Sequence, residues 1–496
     1  MGILRRVFSF PAMLASLLVA LDVLTVRSRF DDPDMWWHLK TGEIIWKRHS
    51  IPTADVFSYA THHHSWVPHE WLSQTLIYGA YHLGGYPGLM VWLCFFTAAL
   101  LIAGYALCSL YSENAKVGWA GALILWFFST SGLAIRPQMI GYLLLVVELL
   151  VLHLGVTRNA RWFFWLPPLF AVWVNCHGSF FFGLVVAAVV LFCSFFEFQL
   201  GSLVSFRWES RPQRFLIFAL LLSMVALFLN PVGWKQILYP LNAIFQQPIN
   251  ISQVQEWRPL QMSSARGIGL MGVLGSIFLL VLIRRSKLLW HELVLLALGT
   301  WFAVSHQRMT FVFGILAAPV LSRLLAPLWE GYDPAQDLPL PNAIIIMLSI
   351  LAAFWAFPSE KNIANQVDNK SPVKAVEFIK SSHMSGNMLN DYGDGGYLIW
   401  AAPEHPVFVD GRGDVYEWVG VLRQFGEWAT LETNPNNLLD KYHIDFCLLA
   451  RQSPMAQVMP LLPGWEQIYS DDLSIIFRRR AVKEVLNDHP THTWKG

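Results

Sequence analysis

Eleven stretches of the chain are apolar over about the length that a helix needs to cross a bilayer, near 17–25 residues. They are 8–26, 86–110, 117–134, 138–156, 161–175, 178–199, 214–230, 267–285, 290–304, 307–325 and 341–357. A water-soluble core cannot bury so many long apolar runs. Inside a bilayer, a helix satisfies every backbone polar group within itself. The expected fold is therefore a membrane all-α bundle of about 11 transmembrane helices. Composition agrees: 55% of the 496 residues are hydrophobic and 14% are charged, against about 25% charged in soluble domains. The first run, behind Arg5 and Arg6, contains Asp22 and is followed by no small-residue cleavage site. It reads as a retained membrane helix rather than a signal peptide.

Lys and Arg in the short loops set the expected orientation. Arg5 and Arg6 place the N-terminus in the cytoplasm. Lys116, Arg158, Arg161, Arg207, Arg211, Arg214, Arg284, Arg285, Lys287 and Arg323 then fall in inner loops. An odd number of spans leaves the hydrophilic tail outside, periplasmic or extracellular, on a multi-pass protein of the cytoplasmic membrane. The net charge of +1 gives no reason to expect nucleic acid, and the five scattered cysteines have no metal-site or disulfide spacing.

Seven polar motifs interrupt the apolar pattern: DDPDMWWH at 31–38, HSWVPHEW at 64–71, RPQ at 136–138, NCHG at 175–178, NPVGW at 230–234, QEWRP at 255–259 and SHQR at 305–308. In this topology all seven face the outer side. Ionisable groups at membrane depth usually mark a functional cavity, so one outward-facing site built from several helix ends is expected. Asp32 and Pro33 read as an N-cap and first helical position. They open an amphipathic interfacial helix with Glu43 placed to pair with Lys47. Glu70 opens the next helix, behind Pro68. The long outer loop 231–266 carries a second interfacial stretch, PVGWKQILYPL.

An acidic motif just after the first helix, an amphipathic helix ending in Thr41–Gly42, a proline-bearing loop and a second acidic residue opening a helix together resemble the membrane glycosyltransferases of the GT-C fold class. That class includes protein O-mannosyltransferases, aminoarabinose transferases and oligosaccharyltransferases. DPDxWWHLxTGE, WxxHEWL, RPQ, NxHG, EW and VFVDGR resemble a bacterial group within it over nearly the whole chain. The resemblance implies a sugar donor on a polyprenyl phosphate, and a glycan, lipid or protein acceptor. It implies that Asp32 or Asp34 fills the first acidic position and Glu70 the second. Many relatives carry Lys-Pro-Pro beside the second, where this chain has Pro68-His69-Glu70-Trp71. The lysine's role would fall to His69 or to an arginine elsewhere.

Such a transfer needs a base for the acceptor hydroxyl and positive charge for the departing phosphate. Asp34, Asp32 and Glu70 are the catalytic candidates. Arg136, Arg258 and Arg308 are the arginines beside outer helix ends, and their planar fork suits phosphate. His38, His69, His177, Glu256 and His306 complete the candidate binding set. A divalent cation, Mg²⁺ or Mn²⁺, would be held by oxygens of Asp32, Asp34, Glu70 and Glu256. Neither GxGxxG after a strand nor GxxxxGK[ST] occurs, which favours a lipid-borne donor over a nucleotide sugar.

The expected division is a transmembrane domain at 1–357, including the first outer loop 27–85, then a linker at 358–370, a soluble α/β domain at 371–480 and a polar tail at 481–496. Ser371 and Pro372 should open a helix. GNMLND, HPVFVD, IDFCLLA and SIIFRR should be strands, with helices near 417–431, 435–441 and 454–461 between them. Asp391, Asp394, Asp410, Arg412 and Asp414 lie among glycines at strand ends. They serve either ligand recognition or turn chemistry with an Asp410–Arg412 contact. The alternatives to an enzyme are a transporter or flippase of a polar lipid, or a non-catalytic assembly protein of a cell-surface polysaccharide system. No internal repeat of the transporter kind is visible.

Overall fold

The computed structural model describes residues 6–249 and 255–480. The chain divides into two compact units. The first contains Met1–Arg29, His69–Phe245 and Ile251–Ser359; the second contains Phe30–Pro68, Gln246–Asn250 and Glu360–Gly496.

In the first unit a helix lies over each of the predicted apolar segments. These are Phe10–Val26, Trp71–Ser112, Ala115–Ser129, Gln138–Thr157, Leu166–Cys176, Phe180–Cys193, Ser210–Ala226, Ala265–Ile283, Trp290–Ser305, Thr310–Leu325 and Pro339–Ala356. Among the described residues, five helical stretches have both the length and the apolarity to cross a bilayer: Trp71–Ser112, Gln138–Thr157, Ala265–Ile283, Gln307–Leu328 and Pro339–Ala356. Phe10–Val26, Ala115–Ser129, Phe180–Cys193 and Trp290–Ser305 are apolar but shorter. The helix expected over 178–199 stops at Cys193, because the chain turns there into a small sheet. Strands β1 (Phe198–Leu200) and β2 (Leu203–Ser205) form an antiparallel hairpin, and β3 (Leu288–Leu289) runs parallel to β2.

Thr310–Leu325 is the most enclosed of these helices, with 14 of its residues buried. It packs on Ala115–Ser129, Trp290–Ser305 and Trp71–Ser112. Asp22, fully buried in the first helix, accepts a hydrogen bond from the Thr97 hydroxyl at 2.8 Å. That contact meets a carboxyl that would otherwise be stranded in an apolar bundle. The 42-residue helix Trp71–Ser112 is two helices joined at a kink. Gly84 and Gly85 have non-helical backbone angles, and Gly85 has φ +58° and ψ −143°, a region open essentially to glycine alone.

The second unit is α/β, around a four-stranded sheet in the order β4-β5-β7-β6: Asn387–Asn390, Ile444–Ala450, Ser474–Arg479 and Trp465–Ser470. The β4–β5 pair is parallel and the other two pairs are antiparallel. Two expectations are corrected. HPVFVD is not a ladder strand: only Val407 makes a bridge, to Ser58. The Asn390 side chain takes the place of a neighbouring strand there, accepting the Phe408 N–H and donating to the Val409 carbonyl, both at 2.8 Å. WEQIYS, too polar to stand out, is edge strand β6. The helix after Pro372 begins at Val373, with no side-chain cap from Ser371.

Residues 30–68, expected as an outer loop of the membrane domain, belong to this second unit. The Ser58 hydroxyl donates to the Phe408 carbonyl at 3.0 Å, and the Tyr59 hydroxyl donates to the Met388 carbonyl at 2.9 Å. The amphipathic helix of this segment, Met35–Arg48, starts two residues later than expected. Asp34, not Asp32, is its N-cap residue, without a side-chain cap; Asp32 accepts the Asp34 N–H at 2.8 Å in the turn before the helix, and Glu43 pairs with Lys40 and Lys47 at 2.8 and 2.7 Å.

The deepest tie in this unit is an arginine between two carboxylates. Arg412, 2% exposed, donates through Nε and Nη2 to Asp410 at 2.8 and 2.6 Å, and through Nη1 to Asp55 at 2.7 Å. Its guanidinium also stacks over Phe57 and Trp66, 4.8 and 4.7 Å from the ring centres. Burial pushes Asp55 up, but the charge and hydrogen bond of Arg412 outweigh it and hold the carboxyl below the usual range. Removing one partner of a buried pair leaves an uncompensated charge, a loss of about 3–5 kcal/mol. Asp55→Ala is expected to lower the unfolding free energy of the second unit by that amount and its midpoint accordingly, read by tryptophan fluorescence in denaturant. An unchanged midpoint would contradict the clamp.

Candidate functional site

In the first unit the polar motifs are joints between helix ends. Glu70, 8% exposed, precedes Trp71–Ser112, and its backbone carbonyl accepts the Gln74 N–H at 3.0 Å. The Trp71 indole donates to Asn175 at 2.8 Å, and Asn175 donates to the Leu229 carbonyl at 2.9 Å. The Ser73 hydroxyl donates to the Cys176 carbonyl at 2.8 Å. Gln236 donates to the carbonyls of His69 and Val174 at 3.2 and 2.6 Å. HEW, NCHG and NPVGW are thus one hydrogen-bonded junction, formed because exposed backbone at a helix end must find partners.

Around that junction the Glu70 carboxylate faces two imidazoles. Its Oε1 lies 3.5 Å from His177 Nε2 and 3.7 Å from His69 Nε2. The His177 ring is oriented from behind. The Ser179 N–H donates to Nδ1 at 3.1 Å, so Nδ1 is the acceptor nitrogen and neutral His177 carries its proton on Nε2, toward Glu70. The Ser179 hydroxyl lies 2.8 Å from Nδ1 and accepts from the Trp173 indole at 3.0 Å. His69 stacks on Tyr239, with ring centres 3.6 Å apart.

A second group gathers two arginines on one carboxylate. Glu256 Oε2 lies 3.1 Å from Arg308 Nη1 and 3.7 Å from Arg136 Nη1. Arg308 also donates through Nη2 to Gln138, which holds the Gly132 carbonyl at 2.9 Å. The Trp257 ring supports Arg308 at 5.6 Å and His306 edge-on at 5.4 Å. The two groups are neighbours, since the charges of Arg308 and His69 both act on His177. Arg258 stays outside: its side chain is exposed, and its backbone carbonyl accepts the Gln307 N–H at 2.8 Å.

Asp32, Asp34 and His38 belong to the second unit. Asp34 Oδ1 accepts the Trp37 indole N–H at 3.3 Å and packs against Gly411 so closely that a Cβ there would overlap it. The DPD motif and the VDGR turn therefore form one surface, which only glycine at 411 permits. His38 is 3% exposed, with its ring 3.6 Å from that of Trp37. Nearby in sequence, Asp391 accepts the Ala450 N–H and Asp394 precedes the helix Gly395–Ala401.

Sequence reasoning missed Gln138, Ser179, Trp257 and Asp55. Gln138 stood inside the RPQ motif, and Ser179 lies two residues past His177, so both had a local signal. Asp55 had none. The four carboxylates considered for a divalent cation are divided between the two units, Asp32 and Asp34 in the second and Glu70 and Glu256 in the first. Glu256 is already faced by two guanidiniums. Among the described residues, no group of three or more His, Cys, Asp or Glu is placed to hold a metal ion.

Burial, with the charge of Asp391 adding to it, pushes Asp394 up from 3.8 to about 7. The folded state therefore holds a proton that the unfolded chain releases near 3.8. Stability from this group is full below about pH 4 and is lost as pH rises through about 7. Asp394→Asn, neutral at every pH, is expected to flatten that decline in melting temperature between about pH 4 and 7. Identical slopes would show that Asp394 ionises in the fold as it does in water.

No protein-family model matches the sequence, and neither does any curated protein. Solved structures do share the fold. The oligosaccharyltransferase of Archaeoglobus fulgidus tethered to an acceptor peptide superposes with TM-score 0.55 at 11% identity, over 98% of this chain and 76% of that one. The archaeal oligosaccharyltransferase AglB from Archaeoglobus fulgidus, in complex with an inhibitory peptide and a dolichol-phosphate, gives 0.52 at 11%, over 97% and 75%. The mycobacterial arabinofuranosyltransferase AftD gives 0.52 at 12%, over 94% of this chain and 41% of that one. At these identities the likeness is one of fold: this chain shares the fold of the two oligosaccharyltransferase structures and of the arabinofuranosyltransferase.

Proposed function

We propose that this protein is a GT-C membrane glycosyltransferase that moves a sugar from a polyprenyl-phosphate-linked donor to a glycan, lipid or protein acceptor. The observation that carries the reading is the convergence of Arg136 and Arg308 on a single carboxylate oxygen of Glu256, at 3.7 and 3.1 Å. Two guanidiniums aimed at one oxyanion are what a departing lipid phosphate requires. The arginines take the part that a lysine beside the second acidic residue plays in many of the enzymes this chain resembles. The oligosaccharyltransferase solved with a dolichol-phosphate adds support from the fold.

In the proposed step the acceptor hydroxyl oxygen attacks the anomeric carbon, and the bond from that carbon to the phosphate oxygen breaks. The hydroxyl proton passes to a carboxylate. The negative charge that develops on the lipid phosphate is taken up by Arg308 and Arg136. The base is Asp34, Asp32 or Glu70. Glu70 is kept in place by His177, whose proton faces it. Asp34 is set by Trp37 and the close approach of Gly411. The reading places the protein in a bacterial cytoplasmic membrane with about eleven crossings, an N-terminus in the cytoplasm, and transfer on the outer face, where the tail domain also lies.

Transfer from a radiolabelled polyprenyl-phosphate sugar in proteoliposomes tests this, with melting temperature as the folding control. Neutralising the base (Asp34→Asn, Asp32→Asn or Glu70→Gln) is expected to lower the rate about 10²–10⁴-fold for the one that takes the proton. Arg308→Gln is expected to lower it about 10²–10³-fold. Folded variants that all transfer at the wild-type rate, or a wild type that transfers nothing from any lipid-phosphate sugar, would leave a non-catalytic role.

A further inference from the structure

A cavity of about 380 Å³ opens in the first unit between the helices Gln138–Thr157, Phe180–Cys193 and Trp290–Ser305, beside β2. Its size falls within the range of small-ligand sites, about 300–1,000 Å³. None of its lining residues takes part in the groups described above. The walls are apolar, from Leu149, Leu152, Val190, Val204 and Leu295. One end is polar, where His153, His291, Glu292 and Arg323 meet.

Arg323 gives this end its character. Its Nε donates to Glu292 Oε1 at 2.7 Å, and its Nη2 donates to Glu292 Oε2 and, at 3.0 Å, to the Lys287 carbonyl. Glu292, 2% exposed, also accepts the Leu289 N–H at 2.9 Å. An internal ion pair therefore explains one edge of the guanidinium. Nη1 has no hydrogen-bond partner among the described residues, which leaves a fixed N–H pair at a cavity mouth. Exposed cations adjoin the lining residues in sequence: Arg207 follows Phe206, and Arg284, Arg285 and Lys287 precede Leu289. Phe206, which lines the cavity, is 59% exposed beside them. An apolar slot ending in a basic rim between membrane helices is the shape that takes a lipid chain below and an anionic head group above.

We propose that this cavity is a binding site for an anionic phospholipid of the bilayer, with one acyl chain against Leu149, Leu152 and Val190 and the phosphate at Arg323 Nη1. The site is separate from the proposed transfer chemistry and stands whether or not that reading holds.

Native mass spectrometry of the full chain, released from bilayer discs of equal phosphatidylglycerol and phosphatidylcholine, counts the lipids retained. One phosphatidylglycerol is expected to be held over phosphatidylcholine by roughly tenfold, as a charge-assisted contact allows. Val190→Trp fills the slot and is expected to abolish retention. Arg323→Lys keeps the charge facing Glu292 but removes the fork, and is expected to bring the two lipids near parity. Equal retention of both lipids by the wild type would overturn the site. So would wild-type retention by a folded Val190→Trp. Preference for added polyprenyl phosphate over phosphatidylglycerol would overturn the assigned occupant. If Val190→Trp does not fold, the wild-type preference and Arg323→Lys decide the question alone.

Discussion

A polar group taken out of water must be met by another polar group, and this chain is organised around that requirement. The apolar runs fold as helices because a helix alone satisfies its backbone in an apolar medium. Where helices end, the backbone is open again, and the polar motifs gather there. Trp71, Asn175 and Gln236 close the ends of three chain segments with side-chain hydrogen bonds. The same rule positions the charged groups. Glu70 lies against two imidazoles, Glu256 against two guanidiniums, and Arg412 between two aspartates.

Several buried side-chain atoms depart from the rule among the described residues, and Glu148 does so with both its oxygens. Glu148 is fully buried in the helix Gln138–Thr157, and both its carboxyl oxygens lack a hydrogen-bond partner among the described residues. Its neighbours are the Trp173 ring and Gly183, beside which a larger residue would collide with the carboxyl.

How much was legible in the sequence follows from the range of the interactions. Apolar periodicity is local, so the helices of the first unit were visible, while several of their ends were misplaced by four or five residues, as at Ser129, Leu166 and Ala226. β5, IDFCLLA, reads as a strand because it is buried and near-continuously apolar, as central strands are. HPVFVD has the same look, yet it is held by the Asn390 side chain instead of a ladder. Its side chains satisfy the core, and its backbone partner is one residue that no pattern could announce. The charged groups show the same divide. The Glu43–Lys47 pair is one helical turn apart and was expected. Arg308 was marked as an unusual arginine, but its partners Gln138 and Glu256 come from other helix ends. Composition and spacing carry no information on which distant carboxylate meets which arginine.

The Arg412 clamp has a bearing on how the chain is made. Asp55 and Arg412 are 357 positions apart, so the first partner leaves the ribosome long before the second exists. At about 5–20 residues per second, the delay is roughly 20–70 s. For that interval Phe57, Trp66 and the carboxylate of Asp55 wait without the side chain that joins them, while the intervening helices are being inserted. The last fifth of the polypeptide thus completes a structure begun in the first seventh, and a truncation before Arg412 would strand a segment near the start.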